Sequence, residues 1–308
     1  MNQTNFFNTI LFLKNTEEHP FHLVNSSLWP IALAFSLYNF LISIVEYFNY
    51  FIQPSLTYEN GSWKITFYSP VFYFCIFLFF FSKWLIDIIR EATFEGYHTL
   101  AVQKGIYFGM LLFILSEIMF FFSFFWGYFH VSWSPNIYIN TVWPPALEHS
   151  ENSNFDFTNE NYNIEEEPVL DLIEPRDIPL YNSCLLIASG FTVTYAHEGL
   201  LTGCRYTCLD GLYWTVIYGF LFSFIQLYEY SYCDFSINDG VYGSIFFLLT
   251  GFHGIHVLIG ALFLSVCLFR HINYHFTRQH HVGLELAVLY WHLVDAIWIA
   301  LMFIIYEF

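Results

Sequence analysis

Seven apolar stretches of about twenty residues recur along this chain, separated by shorter polar segments. As a helix, each is long enough to cross the ~30 Å hydrocarbon core of a bilayer. The pattern predicts spans at 29–51, 67–89, 105–131, 179–199, 209–231, 241–268 and 285–306. Pro30 occupies a helix-start position in the first; Pro54, Asn60 and Gly61 mark the turn after it; Asp239-Gly240 opens the sixth. No internal repeat divides the chain into two related halves. The expected class is therefore an all-α membrane protein, one domain over residues 1–308, with its termini on opposite sides.

Lys and Arg near span ends orient the chain, since they collect on the cytoplasmic or matrix side. With the N-terminus on that side, Lys14, Lys83, Arg90, Lys104, Arg205, Arg270 and Arg278 fall there, and Lys64 and Arg176 fall opposite. One outer connection stands apart. Between Pro145 and Pro179 it carries ten acids (Glu148, Glu151, Asp156, Glu160, Glu165, Glu166, Glu167, Asp171, Glu174 and Asp177) against one Arg. This acidic stretch, residues 146–177, reads either as a solvated loop or as a docking surface for a basic partner or accessory subunit.

Composition sharpens the class. Hydrophobic residues make up 56% and charged residues 11%, too little surface charge for a water-soluble domain of this length. The 39 Phe and 23 Tyr, with abundant Ile and Asn, point to an AT-rich genome such as an organelle's. Residues Met1 to Glu18 lack the Arg-rich, acid-poor character of a targeting sequence, so a mitochondrial protein of this kind is expected to be made inside the organelle. The six Cys are scattered; Cys204 and Cys208 have no second pair to complete a zinc site, and no metal site is expected. Nor is a nucleic-acid partner expected at a net charge of −17.

Ionisable residues inside spans are costly, at least ~2.5–3.5 kcal/mol at the bilayer centre on insertion scales, and are the candidates for function. Glu117 lies mid-span among Phe, Leu, Ile and Met. It reads either as a proton-relay or lipid-contacting carboxyl, or as a neutral Glu hydrogen-bonded to a neighbouring helix. His253 and His256 share a helix face by their i, i+3 spacing, and so do His292 and Asp295. Two haem ligands must approach iron from opposite sides, which such a pair on one helix does not provide. An interhelical hydrogen-bond network is the commoner role, with Gly251, Gly254 and Gly260 admitting a close neighbour. Arg90, Glu91, His98 and Arg270 lie at inner span ends, where they read as lipid-phosphate contacts or as snorkelling end charges.

The longer motifs carry a resemblance. HPFHLV at 19–24, DIIREATFEGYHT at 87–99, VQKG at 102–105 and SEIMFFFSFFWGYFH at 116–130 are followed by WPP at 143–145 and INDGVYGS at 237–244. TGFHGIHVLIG at 250–260, HFTRQHHVGLE at 275–285 and YWHLVDAIW at 290–298 complete the set. In order and spacing these resemble subunit III of the haem–copper cytochrome c oxidases along nearly the whole chain. The family usually has Trp-Trp-Arg-Asp where this chain reads Trp84-Leu85-Ile86-Asp87, and Trp-Ala-His-His where it reads Tyr195-Ala196-His197-Glu198. The acidic stretch is longer than the family's connection.

The resemblance implies seven transmembrane helices in a two-helix plus five-helix V-shaped arrangement. Phospholipids (cardiolipin, phosphatidylethanolamine or phosphatidylglycerol) are expected in the cleft. It also implies a non-catalytic core subunit with no catalytic residue or redox centre of its own, packed against subunits I and II. Haem a and copper reside in those partners, where electrons from cytochrome c reach O2 with proton pumping. The third subunit is expected to stabilise subunit I, support proton uptake and give oxygen a lipid-filled approach. On this resemblance Glu117 corresponds to the family's buried carboxyl, Arg90, Glu91, His98 and Arg270 to its lipid-headgroup contacts, and Trp126 and His130 to its cleft lining. The expected location is the mitochondrial inner membrane, multi-pass, N-terminus toward the matrix, with a bacterial plasma membrane as the alternative.

Overall fold

The computed structural model describes residues 19–52, 63–134, 143 and 173–306; most of the acidic stretch 146–177 lies outside them. Seven helices among the described residues are long and apolar enough to cross a membrane. They are α1 (Trp29–Ile52), α2 (Trp63–Arg90), α3 (Leu100–Trp133), α4 (Ile178–Thr202), α5 (Arg205–Tyr232), α6 (Gly240–Ile272) and α7 (Val282–Leu301). Single π-helical turns, Glu91–Glu95 and Met302–Tyr306, extend α2 and α7. No strand occurs among the described residues. Each helix overruns its predicted span by a few residues at one or both ends. The 34 residues of α3, at 1.5 Å each, run about 51 Å, well past the apolar core they cross.

The chain separates into two compact units, Met1–Ile106 and Tyr107–Phe308. The boundary falls about two turns into α3, so the first unit holds two whole spans and the second carries the remaining five. In the first, α1 and α2 pack through Phe40 and Phe74, ring centroids 5.1 Å apart. The indole Nε1–H of Trp29 donates to Asp87 Oδ2 at 2.5 Å, tying the start of α1 to the end of α2. Segment 19–24 folds back onto that end. His22 stacks on Tyr97 at 4.7 Å, and the Thr99 hydroxyl donates to the Pro20 carbonyl. Gly96, at φ +70°, ends the π turn in the left-handed region that a side chain disfavours.

In the second unit α7 is the most enclosed helix, with 56% of its apolar window buried against 6% in α3. Trp291 and Trp298 are wholly buried on it. Each indole N–H needs an acceptor in a medium without water, and α4 supplies both. Trp291 donates to Ser189 Oγ and Trp298 to Ser183 Oγ, each at 2.9 Å. Glycines seat Trp291. A Cβ on Gly219 would meet its Cη2 at 2.6 Å, and one on Gly260 would meet Cε3 at 2.9 Å. Of Gly251, Gly254 and Gly260, Gly260 is the one approached from within the chain; among the described residues nothing lies within 4 Å of a Cβ built on Gly251 or Gly254.

Candidate functional site

Glu117 sits about 25 Å along α3, near its middle, at 1.5 Å per residue. Its Oε2 lies 2.7 Å from Nε2 of His256 on α6, a residue 139 positions away. The other ring nitrogen, Nδ1, is 2.6 Å from the Phe252 carbonyl. A carbonyl only accepts, so Nδ1 carries a hydrogen. The contact with Glu117 then requires one further proton between Nε2 and Oε2. Whether that proton rests on nitrogen or oxygen, the pair as a whole bears no net charge. Phe121 meets the His256 ring edge-on at 5.0 Å and Tyr290 stacks at 6.5 Å, so the proton is shared in an aromatic enclosure.

The other intramembrane candidates do not join this pair. His253, wholly buried, donates from Nε2 to the Val294 carbonyl of α7 at 3.2 Å and packs against Phe222 and Trp298. His292 Nε2 contacts the Thr194 hydroxyl of α4 at 3.3 Å, and its Nδ1 is 3.8 Å from Asp295 Oδ2. Gly190 makes room for that carboxylate, since a Cβ there would meet Oδ2 at 2.7 Å. The polar groups His253, His256, His292 and Asp295 thus make three contacts between helices, joining α6 to α3, α6 to α7 and α7 to α4. All three tie helices to one another within the second unit.

Two groupings went unread in the sequence. Glu229, 2% exposed at the end of α5, accepts from Tyr306 at 2.7 Å and Gln226 at 3.0 Å on one oxygen, Oε1. Its Oε2 has no partner among the described residues. The i, i+3 spacing of Gln226 and Glu229 was the available signal. The second grouping is His197, His281 and Glu285, whose ligand atoms lie within 4.8 Å of one another and can hold a metal ion. His281 Nδ1 donates to the Thr277 carbonyl, which leaves the lone pair of a neutral ring on Nε2, 3.1 Å from Glu285 Oε1. Two lone pairs at that distance need a proton or a metal between them. His281 and Glu285 are four residues apart, but the third member, His197, comes from α4, so their spacing alone does not announce the cluster.

The lipid-contact candidates divide between the units. In the first, Arg90 Nε pairs with Glu95 Oε1 at 3.0 Å while its side chain stays 68% exposed, and Glu91 Oε2 meets His22 Nε2 at 3.3 Å. The ring of His98 lies 6.4 Å from that of His22. In the second, Trp126, largely exposed, stacks on His130 at 5.1 Å. Arg270 lies over the ring of Phe276 at 4.4 Å and against Gly283, where a Cβ would meet its Nη1 at 2.7 Å.

Comparison with known proteins agrees with these motifs. The family model described as cytochrome c oxidase subunit III matches residues 19–154 and 166–308. The chain is 41% identical over 293 residues to cytochrome c oxidase subunit 3 of Chondrus crispus, covering 95% of both proteins. It is 42% identical to that of Aedes aegypti (94% of this chain, 96% of the relative) and 39% identical to that of Ovis aries (94% and 97%). Two matched blocks spanning nearly all of the described helices, with this degree of identity, leave one assignment: the chain belongs to the cytochrome c oxidase subunit III family.

Proposed function

We propose that this chain is a non-catalytic core subunit of a cytochrome c oxidase, assembled with subunits I and II in the mitochondrial inner membrane with its N-terminus toward the matrix. Its work is to stabilise subunit I, hold phospholipid and support proton uptake and oxygen access while its partners, which carry haem a and copper, oxidise cytochrome c. The supporting observation is how the second unit uses its intramembrane polar groups. Glu117, His256, His253, His292 and Asp295 all contact groups of neighbouring helices or of their own helix, as a rigid supporting body requires. A free-standing proton transporter would instead need a polar, water-accessible path on both sides of Glu117, whose sequence neighbours are nearly all Phe, Leu, Ile and Met.

For lipid, cardiolipin, phosphatidylethanolamine or phosphatidylglycerol, the proposed contacts are Arg90, Glu91 and His98 in one unit and Trp126, His130 and Arg270 in the other. The ion pair of Arg90 with Glu95 is solvent-exposed and worth about 0–1 kcal/mol, little enough for a lipid phosphate to compete for the guanidinium. Affinity purification of the native membrane complex through this chain tests the assignment. Haem a and copper should co-purify in stoichiometric amount; recovery of the chain without them would defeat the reading. A haem absorbance band from the separated chain would overturn its non-redox character.

A further inference from the structure

Where α4 ends, α5 begins and α6 ends, the second unit forms a half-open cavity of about 190 Å³. Arg205, His271 and Arg278 line it, and no carboxylate does. Arg205 Nη2 donates to the Ile272 carbonyl at 2.7 Å and its guanidinium lies 3.4 Å over the Tyr274 ring, yet its buried Nε has no partner among the described residues. His271 is 5% exposed, and neither ring nitrogen has a partner among the described residues. In any protonation state at least one N–H of that ring is unmet, which is unfavourable for a buried donor. Arg278 lies across the bare Cα of Gly203, where a Cβ would overlap its Nη2, Nε and Cζ. Gly203, at φ +81°, is therefore required both to end α4 and to let that guanidinium in. α5 starts beside the cavity with no side-chain cap on its first amides.

We propose that this cavity binds a phosphate group, carried by soluble phosphate or by a lipid headgroup. Two guanidiniums offer the planar fork geometry that phosphate oxygens accept in pairs. The His271 ring supplies a third donor, from a position where burial without an acceptor is unfavourable. The Tyr274 ring holds Arg205 in place, so its fork is organised before the anion arrives. None of these residues belongs to the lipid contacts proposed above, and the site stands or falls independently of them.

The test uses the complex purified from native membranes with its partner chains. EDTA is included, so that no metal at His197, His281 and Glu285 mediates anion binding. Saturation with radiolabelled orthophosphate is measured alongside mass-spectrometric counting of tightly held phospholipid, for the wild type, Arg278→Gln and a control, Arg176→Gln, at an exposed residue outside both the cavity and the lipid contacts. Arg278 is exposed, so its exchange leaves the helices intact. If the ligand is soluble phosphate, Arg278→Gln weakens orthophosphate binding about ten-fold with lipid content unchanged. If it is a headgroup, Arg278→Gln loses about one phospholipid per complex and orthophosphate saturates neither form. Arg278→Lys, which keeps the charge and loses the fork, should show a smaller version of whichever effect occurs, and it serves if the Gln variant does not assemble. Absence of saturable orthophosphate binding in the wild type, with identical lipid counts in all forms, would overturn the proposal.

Discussion

A single carbonyl oxygen decides the proton count at Glu117. Because Phe252 C=O accepts from Nδ1 of His256, the contact at 2.7 Å on the other side of the ring holds one proton between two groups. Glu117→Gln should therefore preserve the assembled complex, its stability from thermal unfolding changing by less than about 1 kcal/mol, since the amide donates to Nε2 as the protonated carboxyl does. His256→Leu should cost about 1–3 kcal/mol, since it leaves a half-buried carboxyl within the span without its imidazole partner. Equal midpoints for the two variants would show that the pair contributes nothing to assembly. The sequence made Glu117 conspicuous but not its partner, 139 residues distant. It also placed His253 and His256 together. Three residues on a helix of 3.6 per turn are about 60° apart, enough for one to meet α7 and the other α3.

Among helices, the deciding contacts are those between α7 and its neighbours. Gly219 on α5 faces Trp291, and the Ala Cβ would stand 2.6 Å from its Cη2. Gly219→Ala should thus destabilise by about 1–3 kcal/mol through overpacking, even though Ala is the better helix former by about 1 kcal/mol. In Gly254→Ala nothing opposes the helix-propensity gain within the chain, so the separated subunit should be unchanged or slightly more stable. Comparing the thermal unfolding of the two in detergent checks the pair; a loss at Gly254 as large as at Gly219 would contradict the packing. Span number and order were legible because twenty apolar residues in a row have few other uses. The helix ends were less so, because α3 and α6 continue for turns beyond the apolar core, where polar residues are as helical as apolar ones. Which glycines seat a neighbour was not legible either: Gly251, Gly254 and Gly260 look alike in sequence, and only the last faces Trp291.

For the molecule as a whole, charge and composition told more than any motif about class, and less about sites. The cluster of His197, His281 and Glu285 and the cavity around Arg278 assemble only when α4, α5, α6 and α7 are brought side by side. No spacing rule reaches across those distances. Two predictions belong to this scale. Deleting residues 148–174 removes most of the acidic stretch outside the described helices, and the seven spans should still assemble with normal haem a content. If the stretch docks cytochrome c, the salt dependence of cytochrome c oxidation should flatten; an unchanged dependence would end the docking role. Arg270→Ala should lower tightly bound phospholipid by about one molecule per complex, counted by mass spectrometry, and an unchanged count would remove Arg270 from the lipid contacts.

The zero net charge of the Glu117–His256 pair has one more consequence. A respiring membrane does work on charge within it, ~2.3 kcal/mol per elementary charge for every 100 mV crossed. A lone carboxylate or imidazolium at the middle of α3 would be pulled by that field, and the packing of α3 on α6 would loosen or tighten as the voltage rose and fell. A proton held in common exempts the pair: energised or collapsed, the membrane exerts no net force on it as a unit. Adding or removing one proton would convert the same pair into a voltage sensor.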